Sequence, residues 1–263
     1  LAGLTAVVKQ QKGNTMRKNR SLIFSAALMM GVASQLLIAT RAQALDKKAG
    51  WQTDAEAGVV LTTGNTQTNT ISLKDATAYG WLQNNLIFSG NFLNSSDHGI
   101  EQAYQWGLGL RYERDLNDRL GVFLGELLQS DKYQSIQQRY ATDVGGKYTI
   151  ENVNGLHWFV EGGYRFTREN YTYGTSNNIN FVRLYNEIEK AWTKTFSAKW
   201  WVEYLPNLSH WAGYQFNTEV SISTVLTDIF SLKSAYLLRY YNTPPGVAEK
   251  TDTTFTTSLV AKF

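Results

Sequence analysis

Three histidines, His98, His157 and His210, are the natural candidates for acid–base or metal chemistry in this chain of 263 residues, which contains no cysteine. They do not recur at metal-ligand spacing, so neither a metal site nor any other cofactor is expected. Ser209-His210 is the best candidate for a lipid-hydrolysing pair at a membrane rim. Adjacent residues in a strand point to opposite faces, however, and a Ser and His that face together would sit two apart. Thr62-Thr63-Gly64-Asn65-Thr66 has the look of a phosphate-cradling loop, but no Gly-Lys-Ser/Thr follows it. It reads as a turn in which Gly64 and Asn65 take positive φ.

A larger set of chemically capable residues remains, and it is charged: Glu56, Lys74, Arg111, Glu113, Lys147, Glu161, Arg165, Arg183, Glu187, Lys199, Glu203, Glu219, Lys233 and Arg239. Each falls in a stretch where polar and apolar residues alternate. In the segment from Tyr104 to Glu113, Tyr104, Trp106, Leu108, Leu110 and Tyr112 make one face, while Gln105, Gly107, Gly109, Arg111 and Glu113 make the other. That is a strand with one apolar and one polar side. Leu156, Trp158, Val160, Tyr164 and Phe166 repeat the pattern against His157, Glu161, Arg165 and Thr167. Leu232, Tyr236, Leu238 and Tyr240 do so against Lys233 and Arg239, and Phe216, Val220 and Ile222 against Asn217, Glu219 and Ser221.

Such segments number about twelve, with starts near Trp51, Thr70, Asn85, Glu101, Arg119, Arg139, Gly155, Ile179, Ser197, Ala212, Ile229 and Thr251. Each runs for about ten to fourteen residues, more than the ~5 to 6 usual in soluble proteins and enough for a tilted strand to cross a bilayer. Short links (80–84, 115–118, 152–154, 193–195 and 227–228) alternate with longer polar ones (62–69, 94–100, 130–138, 168–178, 206–211 and 242–250). Alternation of this kind is expected of an up-and-down outer-membrane barrel, with both termini on the short-turn, periplasmic side. Aromatic residues near the strand ends (Trp51, Tyr79, Trp81, Tyr112, Trp158, Trp192, Trp200, Trp211, Phe230, Tyr240) suit girdles at the two interfaces. A soluble β-sandwich would use shorter strands and hide the apolar face. In a membrane the backbone must be satisfied internally, so the sheet must close, pairing the last strand with the first.

The expected fold class is therefore all-β: a closed antiparallel up-and-down transmembrane β-barrel of about 12 strands, residues 45–263, preceded by a cleavable signal peptide within residues 1–44. Arg17, Lys18 and Arg20 after Met16 form a basic region, an apolar run from Leu22 to Ile38 follows, and Ala42-Gln43-Ala44 is a small-x-small site. Translation is expected to start at Met16 and cleavage to follow Ala44. The first 44 residues carry six of the chain's 25 Lys and Arg and no acid, leaving 19 against 22 Asp and Glu. A basic nucleic-acid surface is thus not supported, and no nucleic-acid partner is expected.

The last strand ends Leu259-Val260-Ala261-Lys262-Phe263. A terminal Phe preceded by apolar residues at alternate positions (Leu259, Ala261, Phe263) resembles the assembly signal of bacterial outer-membrane proteins, which implies recognition by their barrel-assembly machinery. The stretch from Trp51 to Thr66, with Glu56 and Gly58 in the opening strand and a Gly-Asn-Thr turn after it, resembles the salt-induced outer-membrane proteins, a family filed as a domain of unknown function. The likeness covers nearly all of residues 51–263. It implies a Gram-negative outer-membrane barrel and supplies no reaction.

The fourteen charges are expected to line the lumen, either filtering solutes or filling the barrel as mutual pairs. Twelve strands fall between barrels packed solid and barrels with open channels. Asp75 and Glu126 fall on lipid-facing positions, which points to a bulge or a register shift. The function expected is a porin-like or narrow channel for small solutes, without enzymatic activity. One alternative is a structural homo-oligomer packed wall to wall, able to enclose lipid, because the wall positions Thr53, Ala55, Ala57, Thr142, Gly146, Gly162, Thr218, Ser234 and Thr257 are small or weakly polar. An outer-membrane phospholipase is the weaker alternative. The surrounding partner in every case is the lipid bilayer of the outer membrane.

Overall fold

The computed structural model describes residues 49–61, 68–246 and 248–262. The expected signal peptide, the turn at Thr62–Thr66 and the terminal Phe263 lie outside the described residues. Twelve strands follow one another: β1 (Gly50–Leu61), β2 (Thr68–Trp81), β3 (Asn84–Asp97), β4 (Ile100–Asp115), β5 (Leu120–Asp131), β6 (Ile136–Val153), β7 (Leu156–Tyr171), β8 (Ser176–Ala191), β9 (Phe196–Leu205), β10 (Gln215–Val225), β11 (Phe230–Tyr241) and β12 (Thr251–Lys262). Each pairs antiparallel with its chain neighbours, and β12 pairs with β1, so the sheet closes into a barrel. Their starts fall within three residues of the positions expected from the alternation.

The strands are longer than expected at one end. β6 reaches 18 residues, and β4, β7 and β8 reach 16. Three links expected to be long shrink to residues 98–99, 132–135 and 172–175, because the chain stays paired beyond the point where its two faces differ. A strand that leaves the bilayer has water on both sides, so the polar–apolar alternation vanishes while the hydrogen-bond ladder continues. Among the described residues the remaining long links are 206–214 and 242–250, at the same end, here termed the loop end, while the link between β1 and β2 lies outside them. The opposite, turn end carries 82–83, 116–119, 154–155, 192–195 and 226–229. Asn154 and Gly155, with φ of 52° and 71°, make a two-residue hairpin turn of the type that asparagine and glycine favour.

The outer wall is apolar, with Leu73, Phe88, Leu108, Leu124, Val144, Leu184, Val220, Ile222, Leu232 and Phe255 all exposed. Aromatic rings border it. At the turn end Trp51 and Tyr79 lie 4.9 Å apart, Tyr79 and Trp81 5.7 Å, and Trp81 and Tyr112 6.3 Å. At the loop end Tyr204, Tyr214 and Tyr240 follow one another at 6.0 and 5.8 Å. An apolar belt between two aromatic rims, on a closed antiparallel barrel, is the architecture of an outer-membrane protein.

Asp75 and Glu126 require no bulge. The ladder runs unshifted through Ala55, Asp75 and Gly90, and through Leu110, Glu126 and Thr142. Both carboxylates stand on the outer wall and accept a hydroxyl bond from a neighbouring threonine, Thr77 to Asp75 at 3.2 Å and Thr142 to Glu126 at 2.6 Å. The register shifts occur elsewhere, at Ser95/Ser96, Gln129/Asp131, Ile136/Gln138 and Thr149/Glu151. All but the last lie near the loop end, where the strands run beyond the apolar belt.

Candidate functional site: the barrel lumen

The inner wall begins with period-two geometry: a residue whose neighbours face lipid must itself face inward. That rule carries Glu161, Arg165, Arg183, Glu187, Glu203 and Arg111 to the interior, where all are buried. The structure then brings most of them together. Glu161 on β7 accepts from Arg111 Nη2 at 2.6 Å and from Arg183 Nη1 at 2.5 Å. Arg183 reaches Glu203 on β9 at 2.7 Å through its Nε. Arg165 holds Asp143 on β6 with two bonds of 2.6 Å and lies 3.2 Å from Glu203. A continuous lattice therefore spans β4 to β9 across the lumen.

The other charges extend it. Arg111 Nε donates to Glu113 at 2.7 Å, and Lys147 lies 3.5 Å from the second oxygen of that carboxylate. Lys199 pairs with Glu187 at 3.1 Å, and Tyr185 donates to the same carboxylate at 2.5 Å. On the opposite side Lys233 lies 3.4 Å from both Glu56 and Glu219, while Lys74 is 3.6 Å from Glu56 and Ser258 donates to it at 2.7 Å. Asn217 donates to Glu203 at 3.3 Å.

Aromatic rings support the cations. The Arg111 guanidinium lies 3.9 Å from the centroid of Phe123, Lys147 4.4 Å from Phe159 and Arg183 4.9 Å from Tyr185. Phe123 fits because Gly145 and Gly163 face each other across the β6–β7 ladder. A Cβ at Gly145 would meet Phe123 Cζ at 2.6 Å, and one at Gly163 would meet the Val144 carbonyl at 2.5 Å. Two bare backbone positions thus make the floor on which the ring, and then the arginine, is stacked.

Arg239 stands apart. It is buried near the loop end, its three guanidinium nitrogens have no hydrogen-bond partner among the described residues, and Asp131 and Asp252 act on it only through space. Arg139, with its bond of 2.7 Å to Glu169, and Asp131 lie in the same region. Neither they, Glu169, Asp252 nor Asp143 figured among the residues expected to form the site. Alternation would have found Asp143, next to wall-facing Thr142. Asp131 and Arg139 sit where a register shift and the loss of alternation mask the period.

At the loop end, described loops lean toward the mouth. The tip between β5 and β6 folds inward, with Gln134 donating to Asp252 across the mouth and Tyr133 donating to the Glu101 carbonyl at 2.5 Å. Residues 206–214 also fold in, Leu208 N–H donating to Asn180 at 2.8 Å, over the buried cluster Ile179, Phe181 and Leu205. The turn end holds a vestibule of about 150 Å³ bordered by Glu189, Lys194, Lys199, Ser221, Ser223, Ser231, Lys233 and Lys262.

The histidines lie apart from one another in the fold. His98 is exposed in the β3–β4 turn, 2.7 Å from Asp97, and His157 packs inside against Phe159 with centroids 5.4 Å apart. Ser209 and His210 are exposed, and the backbone N–H of each donates to Asn207 Oδ1 at 2.9 Å, a turn-forming role. Among the described residues no group of three or more His, Asp and Glu is arranged to hold a metal ion.

Comparison with solved structures finds barrels of similar outline at low identity. The NanC porin is 15% identical, with a TM-score of 0.47 over 80% of this chain and 97% of that one. A KdgM porin in complex with disordered oligogalacturonate is 12% identical, with a TM-score of 0.47 over 81% and 99%. The translocator domain of the autotransporter NalP from Neisseria meningitidis is 10% identical, with a TM-score of 0.45 over 82% and 88%. No curated relative matches by sequence. The model of the family described as protein of unknown function, DUF481, matches residues 55–263, and the chain belongs to that family.

Proposed function

We propose that this outer-membrane barrel is a narrow, non-enzymatic channel for small solutes, held shut at mid-depth by its own ion pairs. The observation that carries the reading is the composition of the interior. A barrel that only needed filling would gain stability from apolar residues, since a buried ion pair seldom repays its desolvation. Here cations and anions line the inner wall from the vestibule to the lattice, each placed where a partner could exchange. Lys199 and Lys233 on the vestibule wall are already paired with Glu187 and with Glu56 and Glu219, so a positive bias that favours anionic solutes comes from Lys194 and Lys262 at its rim.

Planar-bilayer recording tests this. The native protein is expected to conduct in small, infrequent steps, and the double variant R165A/D143A, which removes a whole pair and leaves no charge stranded, to conduct in larger and longer ones. Silence from both, in protein shown to be inserted, would refute the channel.

A second reading, wall-to-wall packing of copies, draws on Ala55 and Ala57 on β1 and Gly90 on β3, small residues on either side of Asp75 on the outer wall. The particle mass in mild detergent tests it: a single-barrel mass removes it.

A further inference from the structure

The β1–β12 seam differs from the other eleven. β1 and β12 each have 12 residues, yet they pair only at Asp54–Lys262, Ala55–Ala261, Glu56–Val260 and Ala57–Leu259. Every other seam pairs at eight positions or more. From Gly58 to Leu61 the backbone of β1 is laddered to β2 but, among the described residues, not to β12. Likewise Thr251 to Ser258 are laddered to β11 alone. The strands remain adjacent at the point of parting, where a Cβ at Gly58 would lie 3.6 Å from Ser258 Cβ.

Three further observations bear on this gap. Backbone groups that face hydrocarbon unpaired cost several kcal/mol each, on the order of a whole ladder bond, so such a seam needs another source of hydrogen bonds. Behind it lies a polar interior: Thr254 has a buried hydroxyl without a partner, and Arg239, opposite Asp252 on the neighbouring strand, has its guanidinium unpartnered. Water held there can satisfy the open backbone from within. Next to it on the lipid side, over the paired stretch that borders the gap at its turn-end edge, is an apolar hollow of about 480 Å³ formed by Ala55, Ala57, Leu73, Phe92, Phe230 and Leu259, with Asp75 in its wall. Its volume lies within the range of small-molecule sites, roughly 300–1,000 Å³. Finally, the charge lattice crosses the lumen on the turn side of the gap, and Gln134 reaches Asp252 across the loop-end mouth. The wall itself is left as the least-bonded boundary of the loop-side lumen.

We infer that β1 and β12 form a lateral gate through which a small apolar or amphipathic solute passes between the loop-side lumen and the bilayer, coming to rest in the hollow beside Asp75. This rests on the channel reading and adds its route and solute class. The slot is bordered by Gly58, which has no side chain, and by Phe255, which is 68% exposed to the bilayer side. Opening requires no ladder bond to break above Ala57, only separation of strands already unpaired. A polar ion has no reason to take this path, since it ends in hydrocarbon.

A disulfide staple tests the inference in the intact protein. The chain has no cysteine, and the 3.6 Å Cβ separation at Gly58 and Ser258 lies within disulfide range, so G58C/S258C can close the seam reversibly. Cells producing the native barrel are expected to take up the apolar fluorophore N-phenyl-1-naphthylamine faster than cells without it. Oxidised G58C/S258C is expected to lose that gain entirely and to recover it on reduction, while the salt conductance of the variant in planar bilayers is the same oxidised and reduced. Uptake that is indifferent to the oxidised staple overturns the lateral gate and leaves the channel reading standing. Absence of both uptake and conductance in the native protein overturns the channel reading itself. If the cysteines do not oxidise, or the reduced variant is itself inactive, amide hydrogen exchange in lipid nanodiscs decides. Residues 251–257 are expected to exchange faster than the residues of β11 that face them, and equal protection in both overturns the gate.

Discussion

Replacing Glu161 with glutamine keeps the volume of the side chain, removes its charge and leaves two guanidinium groups facing an amide. The size of the effect follows from burial. The side chains of Glu161, Arg111 and Arg183 are only 1%, 3% and 4% exposed, so solvent does little to screen them. Unit charges about 4 Å apart attract by ~4 kcal/mol at an effective dielectric of ~20. Glu161 makes two such contacts, opposed by the desolvation of its carboxylate and by repulsion between the arginines it neutralises. Breaking a buried pair from one side leaves an uncompensated charge and typically costs about 3–5 kcal/mol. E161Q should therefore lose about 3–5 kcal/mol in urea-driven unfolding from lipid vesicles, followed by tryptophan fluorescence, and should lose its folded gel band at a lower temperature. The variant E161Q/R111M, which also removes one stranded cation, should regain a large part of that loss. A loss under about 1 kcal/mol for E161Q, the range of solvated surface pairs, would refute the reasoning, because it would mean that water reaches the lattice.

Other outcomes can be checked in the same unfolding assay. F123A removes the ring beneath Arg111 and should cost about 3–5 kcal/mol, with larger conductance steps because the floor of the lattice is gone. G163A places a Cβ against the Val144 carbonyl, where backbone cannot easily yield, and should cost about 1–3 kcal/mol or prevent insertion. E126L exchanges a lipid-facing carboxylate for an apolar side chain and should raise stability by about 1 kcal/mol, less than cationic side chains cost at the bilayer midplane. K194Q/K262Q should shift the ion preference of the channel away from anions, measured as a changed reversal potential under a salt gradient, with little effect on unfolding since both lysines border the open vestibule.

Much of this architecture can be read along the chain. A residue's side of the wall depends only on whether its position is odd or even within a strand, so Leu232, Tyr236 and Lys233 declare their faces without any tertiary information. Asp75 and Glu126 are instructive: alternation places them correctly on the outside, and the expectation of a bulge arose because a carboxylate there is costly. A threonine on each side chain's doorstep, Thr77 and Thr142, supplies the compensating bond. The strand ends were less legible at the loop end. Above the bilayer both faces are wet, so chemistry no longer reports the pairing that hydrogen bonds maintain.

Sequence alone thus determined the strand number, the two faces and the membrane setting, because those properties follow from a local period of two and the polarity of the medium on each side. Tertiary structure decided which charges meet. Glu161 is fifty positions from Arg111 and twenty-two from Arg183, and nothing local links them. Barrel curvature carries β4, β7 and β8 to the same depth, so that long side chains converge across a lumen too narrow to leave them apart. The uneven seam between β1 and β12 has the same origin, since where two distant strands stop pairing depends on how the whole sheet closes.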